Sequence, residues 1–299
     1  MNTRRFRPGP KPSTMLILLC LASPSWGAIT CSMTATSVGA FYNAGANVDV
    51  TGSAVLTCTR LSTDATSITY RLKADNGVNA TGATRRVRHQ NGSANYLSYI
   101  LRRGATCGNA TNWQAPATGT TNVQTGTLNF GAALTASFTQ TYCIRLRGTA
   151  GGNPAAPPAG SYADVFNVFA QYPNNNAGAL TPNAPANYSV GVNPGCAFMS
   201  LPATMAFAYT AFRATALSQS ANFNLRCNTG VTWSVAISPA NAALVGLNYN
   251  MTIPSGASGT GNGANQVVTV QATFPANQAG TCSAATCSGT QAHTLTITY

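Results

Sequence analysis

Apolar and polar residues alternate at every second position in short runs along most of this chain. Residues 53–58 (Ser-Ala-Val-Leu-Thr-Cys), 67–72 (Ser-Ile-Thr-Tyr-Arg-Leu) and 96–101 (Tyr-Leu-Ser-Tyr-Ile-Leu) have this form, as do 223–227, 231–237 and 266–270. A period of two places alternate side chains on opposite faces of a strand. Asn-Gly, Gly-Asn and Pro-Ala turn chemistry separates the runs. No window sustains the i, i+3, i+4, i+7 apolar spacing of a helix together with a cap and a stop. Many short strands joined by such turns predict an all-β protein of the sandwich type. Residues 148–160, rich in Gly, Pro and Ala, read as a loop. Residues 173–186, with Asn174, Asn175 and Asn176 in a row, read as the connection between two units.

The pattern is written twice. One copy opens on Cys31 and Cys58 and closes on residues 160–172, Gly-Ser-Tyr-Ala-Asp-Val-Phe-Asn-Val-Phe-Ala-Gln-Tyr. The other opens on Cys196 and Cys227 and closes on residues 289–299, Gly-Thr-Gln-Ala-His-Thr-Leu-Thr-Ile-Thr-Tyr. Tyr188-Ser189-Val190-Gly191-Val192 stands just ahead of Cys196, and nothing comparable precedes Cys31. A chain of 299 residues accommodates two domains of ordinary size. The expected division is a signal peptide over 1–27, an N-terminal domain over 28–173, a linker with a strand-like segment over 174–193, and a C-terminal domain over 194–299.

Composition points to secretion. Only 7% of the residues are charged and none is glutamate, far below the roughly 25% of an ordinary soluble domain. After residue 30 no apolar stretch approaches the ~20 residues that span a bilayer, and β-branched and aromatic residues are too frequent for a disordered chain. Arg4, Arg5, Arg7 and Lys11 precede a short apolar run over 15–22, and Ser25-Trp26-Gly27 offers small residues for cleavage near Gly27. Leu19 before Cys20 argues against a lipoprotein site. Loss of the signal leaves eight of the nine cysteines. Eight cysteines allow 105 pairings in a disulfide framework. The repeat makes Cys31–Cys58 and Cys196–Cys227 equivalent bridges, leaving Cys107–Cys143 and Cys282–Cys287 to pair within their own copies. Zinc is disfavoured, because paired C-x-x-C motifs are absent and both histidines stand alone.

Catalytic chemistry finds little footing. The four aspartates are scattered, His89 and His293 have no nucleophile context, and neither a G-x-S-x-G nor a phosphate loop occurs. Neither an enzyme nor a cofactor is expected. The first copy carries most of the charge, with basic pairs at i, i+2 in Arg71/Lys73, Arg86/Arg88 and Arg145/Arg147. On strands each pair shares a face, which builds either a basic patch or an ordinary solvated face. Residues 85–89 read equally as strand or loop tip.

Further motifs carry a family resemblance. Tyr96-Leu97-Ser98-Tyr99 followed by Asn112-Trp113, and the corner Pro158-Ala159-Gly160-Ser161-Tyr162-Ala163-Asp164, match the middle and closing elements of the spore coat protein U domain. Phe274-Pro275-Ala276-Asn277-Gln278-Ala279-Gly280-Thr281 and the strand over 294–299 match the closing elements in the second copy. Cys282 to Cys287 is an insertion there, and the Tyr-rich strand with its tryptophan is missing from the expected place. Each copy therefore resembles this domain, which is found in pilin subunits of archaic chaperone–usher pili.

The resemblance implies two tandem immunoglobulin-like sandwiches of pilin type, the C-terminal one incomplete and completed by donor-strand exchange. It implies a periplasmic chaperone, an outer-membrane usher and an adjacent pilin subunit as partners, with no specific nucleic acid. Leu295, Ile297 and Tyr299 are expected to border the donor-strand groove. Tyr188, Val190 and Val192 are the candidate donor to the first copy in cis. Cleavage near Gly27 leaves about three residues before Cys31, too few for a donor strand, so the expected position is the pilus tip at the cell surface. The expected function is a tip adhesin for surface attachment and biofilm formation, with Phe41, Tyr42, Trp113, Arg86 and Arg88 as candidate surface contacts. The alternatives are a tandem structural pilin or coat subunit, and a polyanion- or glycan-binding secreted module.

Overall fold

The computed structural model describes residues 29–108, 112–113, 123–173 and 182–299, and the expected signal peptide lies outside them. Apart from one 3-10 turn over Thr149–Gly151, all regular structure among the described residues is β. The first ten strands are β1 (Thr30–Ala35), β2 (Val38–Phe41), β3 (Val48–Thr59), β4 (Ser67–Ala74), β5 (Arg85–His89), β6 (Tyr96–Arg103), β7 (Gln124–Asn129), β8 (Thr135–Leu146), β9 (Gly160–Gln171) and β10 (Asn183–Val192). The other eight are β11 (Cys196–Phe198), β12 (Leu217–Cys227), β13 (Thr232–Ser238), β14 (Asn241–Leu244), β15 (Leu247–Ser255), β16 (Ser258–Thr260), β17 (Gln266–Phe274) and β18 (Thr294–Thr298).

The N-terminal module is a sandwich of two layers. One runs β1-β3-β8-β6-β5; the other runs β7-β4-β9-β10-β2, and β5 touches β9 to join them. Side chains alternate as the period-two pattern requires. Leu97, Tyr99 and Leu101 of β6, Tyr142, Ile144 and Leu146 of β8, and Phe166, Val168 and Ala170 of β9 form one continuous buried core. Residues 85–89 are a strand rather than a loop tip, with Arg85, Val87 and His89 turned inward.

The C-terminal module repeats this order. Its layers run β11-β12-β17-β15-β14 and β16-β13-β18. Position by position, β11, β12, β17, β15 and β14 stand where β1, β3, β8, β6 and β5 stand in the first module. Likewise β16, β13 and β18 stand where β7, β4 and β9 stand. The cysteines agree in register: Cys31 lies opposite Cys58 on β1 and β3, and Cys196 opposite Cys227 on β11 and β12. Each pair is bonded, as are Cys107–Cys143 and Cys282–Cys287. The three long bridges close loops of 27, 36 and 31 residues, worth about 3.5 kcal/mol each in the loop-entropy account.

The modules meet at loops. Asn228 donates its side-chain amide to the Pro157 carbonyl at 2.8 Å. Gly263, at φ +77°, lets the main chain approach Ala156, whose carbonyl oxygen is 3.0 Å from where a Cβ would stand.

Candidate functional site: a strand slot filled in one module and open in the other

Strand β10 is the part of the first module that comes from the expected linker. It pairs antiparallel with β9 from Asn183↔Phe169 to Val192↔Gly160, and parallel with β2 from Tyr188↔Val38 to Gly191↔Phe41. Alternation drives it inward on one face. Ala184, Ala186, Tyr188, Val190 and Val192 are buried, while the residues between them face out or are half-buried. Burial of Val190 and Val192 stabilises the module by about 1.5–3 kcal/mol each.

A polar cluster lies under this strand. The Tyr188 ring stands edge-on to Tyr99 with centroids 5.0 Å apart, and its buried hydroxyl has no hydrogen-bond partner among the described residues. The Tyr99 hydroxyl donates to Asp164 at 2.7 Å, and the main-chain and side-chain N–H groups of Asn79 donate to the other carboxylate oxygen at 3.0 and 3.1 Å. Burial pushes the Tyr99 and Tyr188 hydroxyls above the usual phenol range. Burial also raises the Asp164 carboxyl, against the lowering effect of its hydrogen bonds.

The second module builds the same arrangement with no strand at the β10 position among the described residues. Strand β18 pairs with β13 from Ser234↔Thr298 to Ser238↔Thr294. Its other edge, the one that β9 gives to β10, carries no partner among the described residues. Between β11 and β12, where β2 would fall, the chain runs without regular structure over 201–209, with Met205, Phe207 and Tyr209 half-buried and packed on the core. Phe207 and Tyr209 pack on Phe274, with centroids at 4.9 and 6.0 Å. The Tyr209 hydroxyl donates to the Pro275 carbonyl at 3.0 Å. None of the main-chain N–H or C=O groups over 201–209 bonds another described residue.

The free edge of β18 and the 201–209 segment thus flank Phe223, Leu225, Trp233 and Val235, which are themselves buried. The burial difference is plain. Phe166 and Val168 of β9 are 0% exposed, whereas Leu295 and Ile297 of β18 are only half-buried.

The sequence-derived candidates fall in different places. Leu295 and Ile297 face Ile237 and Val235 on the core side of β18. Tyr299 is 60% exposed just past its end. His293 is held by Tyr249 at 2.7 Å and by the Pro239 carbonyl at 2.8 Å, and His89 by the Ala159 carbonyl at 3.1 Å.

Trp113 requires a correction. It is 0% exposed, packed in the first core beside Tyr142, because its ring follows the inward face next to β6; it is no surface contact. Residues 109–111 and 114–122 on either side of it lie outside the described residues. Phe41 is exposed but sits opposite Gly191, at the end of β10 that leads into the second module. Tyr42 is half-buried there and donates to the Pro154 carbonyl.

Register gathers most of the basic pairs. Arg86 and Arg88 on β5, Arg102 on β6, and Arg145 on β8 project from the outer face of three adjacent strands, and Arg147 follows just past the end of β8, where its N–H donates to the Ser98 carbonyl. Asp49 meets this face, bonding Arg145 at 2.7 Å, and that contact lowers the Asp49 carboxyl below its usual range. The Arg86 guanidinium lies 4.1 Å from the Tyr96 ring centroid. Arg71 and Lys73, in contrast, are buried on β4.

Two features were not singled out in the sequence. The 201–209 wall is one, although the alternation of Met205, Phe207 and Tyr209 signals it. The other is the pole remote from the second module, where Leu61 is 60% and Leu134 50% exposed in adjacent turns. Arg60 holds these turns by donating to the carbonyls of Gly131, Ala133 and Asp64.

These features define a class: tandem, disulfide-closed β-sandwiches of immunoglobulin-like strand order. A family model described as the Spore Coat Protein U domain matches residues 20–169, half of the chain; the chain belongs to that family. No curated protein matches it. Among solved structures, the chain is similar to one in the CsuC–CsuE chaperone–tip adhesion subunit complex from archaic chaperone–usher Csu pili of Acinetobacter baumannii. That match has 12% identity and a TM-score of 0.44, covering 90% of this chain and 99% of that one. It is also similar to the CupB6 tip adhesin of Pseudomonas aeruginosa, at 10% identity and TM-score 0.36, covering 89% and 93%. The CooA pilin subunit of enterotoxigenic Escherichia coli matches at 10% identity and TM-score 0.34, covering 55% of this chain and 99% of that one.

The Asp164 site has a pH signature. A carboxyl whose pKa is raised on folding takes up its proton more readily in the folded state. The folded state therefore gains stability as pH falls from neutral through the raised pKa toward the unfolded value of about 3.9. The Asp164→Asn variant lacks this gain. The melting temperature of the wild type relative to Asp164→Asn is expected to rise between pH 7 and pH 4.5, and a constant difference across that range would remove Asp164 as the source.

Proposed function

We propose that this chain is a subunit of a chaperone–usher pilus and that it works as the tip adhesin. The carrying observation is the shared strand order of the two modules, with the β10 position filled in the first and, among the described residues, unpaired in the second. An open slot between two unpaired edges is the natural acceptor of an extended strand, which gains a main-chain ladder and buries alternate apolar side chains. A periplasmic chaperone fills the slot first, and after passage through the outer-membrane usher the adjacent pilin does. Tyr188, Val190 and Val192 act as the first module's own donor. That module takes no incoming strand and stands free at the outer end, exported to the cell surface for attachment and biofilm formation. Leu61 and Leu134 at its remote pole are the contacts best placed for an apolar surface. The protein acts by assembly and adhesion rather than catalysis.

Paired substitutions test the reading. Val190→Asp buries an unpaired charge and is expected to cost about 3–5 kcal/mol, abolishing the folded first module. Ile297→Asp leaves the isolated fold intact by circular dichroism but removes co-purification with the chaperone and display on the pilus. Retained chaperone binding by Ile297→Asp would sink the slot assignment. Antibody against the first module is expected to label one end of the fibre, and labelling along the shaft would instead favour a structural subunit.

The basic face of β5, β6 and β8 favours a second reading, in which the first module contacts anionic glycans. Four arginines on these strands, with Arg147 just past β8, stand there against Asp49. Retention on a heparin column is expected to weaken with salt and to fall further in the Arg86→Gln, Arg88→Gln double variant. Salt-independent retention would count against it.

A further inference from the structure

The Cys282–Cys287 insertion plays no part in the slot or the core. Its surroundings differ from those of the other three bridges. Each of those has at least one cysteine at 0 or 1% exposure, whereas both Cys282 and Cys287 are exposed, as is every residue over 281–292. Each of those closes a loop of 27 residues or more, whereas this one spans 5. The short ring removes the least chain entropy and is the least costly to open.

The segment around it has few other ties. The Thr281 N–H donates to the Val245 carbonyl at 3.0 Å, and His293 is held at Tyr249 and Pro239. Between these anchors no main-chain hydrogen bond joins residues 282–292 to a described residue. Gly289 rests against Leu244 and Val245. The disulfide is therefore the one covalent restraint on the segment that delivers the chain into β18, and β18 is itself paired on one edge.

We infer that Cys282–Cys287 is a thiol-exchange site, open to small-molecule thiols, whose reduction slackens the acceptor strand β18 without unfolding the module. A thiolate RS⁻ attacks one exposed sulfur; the R–S–Sγ bond forms, the Sγ–Sγ bond breaks, and the released cysteine thiolate takes a proton from water. A second RS⁻ attacks the mixed disulfide and releases RSSR with the other cysteine thiolate. In sum, two RSH are oxidised to RSSR and one disulfide is reduced to two thiols. The Sγ of Cys282 lies 3.2 Å from the Ala284 carbonyl oxygen. It has no proton to donate while bonded, but gains a ready acceptor once it is a thiol.

The chemistry stands apart from the pilus reading; only its consequence for strand acceptance rests on that reading. The full chain is titrated with glutathione, alkylated and mapped by mass spectrometry. Cys282 and Cys287 are expected to label at thiol concentrations at least tenfold below those that label the other six cysteines. Simultaneous labelling of all eight, or no labelling of these two, overturns the site. Hydrogen exchange at Leu295 and Ile297 is then expected to quicken about tenfold on reduction and to return on reoxidation. The Cys282→Ser, Cys287→Ser double variant is expected to exchange at the reduced rate without glutathione. Selective labelling with unchanged exchange overturns the slackening. Neither readout uses chaperone or fibre, so an assembly failure in Ile297→Asp is judged separately.

Discussion

Every strand in a sheet has two edges, and a buried edge must find hydrogen bonds. That constraint organises both modules. Strands β9 and β18 occupy the same place in the same strand order, and each offers one edge to a neighbour in its own layer. What differs is the second edge. For β9 the chain itself supplies ten residues of β10, and the core beneath closes until Phe166 and Val168 are fully shielded. For β18 no described residue supplies a second neighbour, and its own Leu295 and Ile297 stay half-buried. Among the described residues the two modules thus share one strand order and differ in whether a strand stands at the β10 position.

The disulfides hold that common frame while the surfaces diverge. Matching Cys–Cys registers at β1–β3 and β11–β12 fix the first strand of each module on its neighbour, so the rest of each layer is laid down from the same starting edge. On this frame the first module carries nearly all the charge and the second nearly none. Arginines of the first module largely bond backbone carbonyls in turns, as Arg60 and Arg102 do, and so they stiffen loops as well as charging the surface.

Much of this was legible in the chain. Period-two alternation and turn chemistry mark strands directly, and repeated cysteine spacing announces the duplication. The alternation of Tyr188, Val190 and Val192 marked a strand within an otherwise linker-like stretch. Other features depend on contacts that sequence does not carry. The wall over 201–209 has a proline and several alanines and forms no ladder, so it reads as connection until its aromatic residues are seen on Phe274. Trp113 is an aromatic whose fate depends on whether its loop folds inward. The parity of Arg86, Arg88, Arg145 and Arg147 puts each pair on a face, but only register shows that their strands are neighbours. Leu61 and Leu134 meet because two distant turns close over Arg60.

The join between the modules has a mechanical consequence. Only Asn193, Pro194 and Gly195 separate the end of β10 from the start of β11, and Cys196 then anchors the chain to β12 through its bridge. A pull on the second module reaches the first along the axis of β10. Its ladder to β9 is then loaded lengthwise, so its hydrogen bonds share the force and resist together instead of unzipping one at a time. The same strand that completes the core is placed to act as a shear clamp.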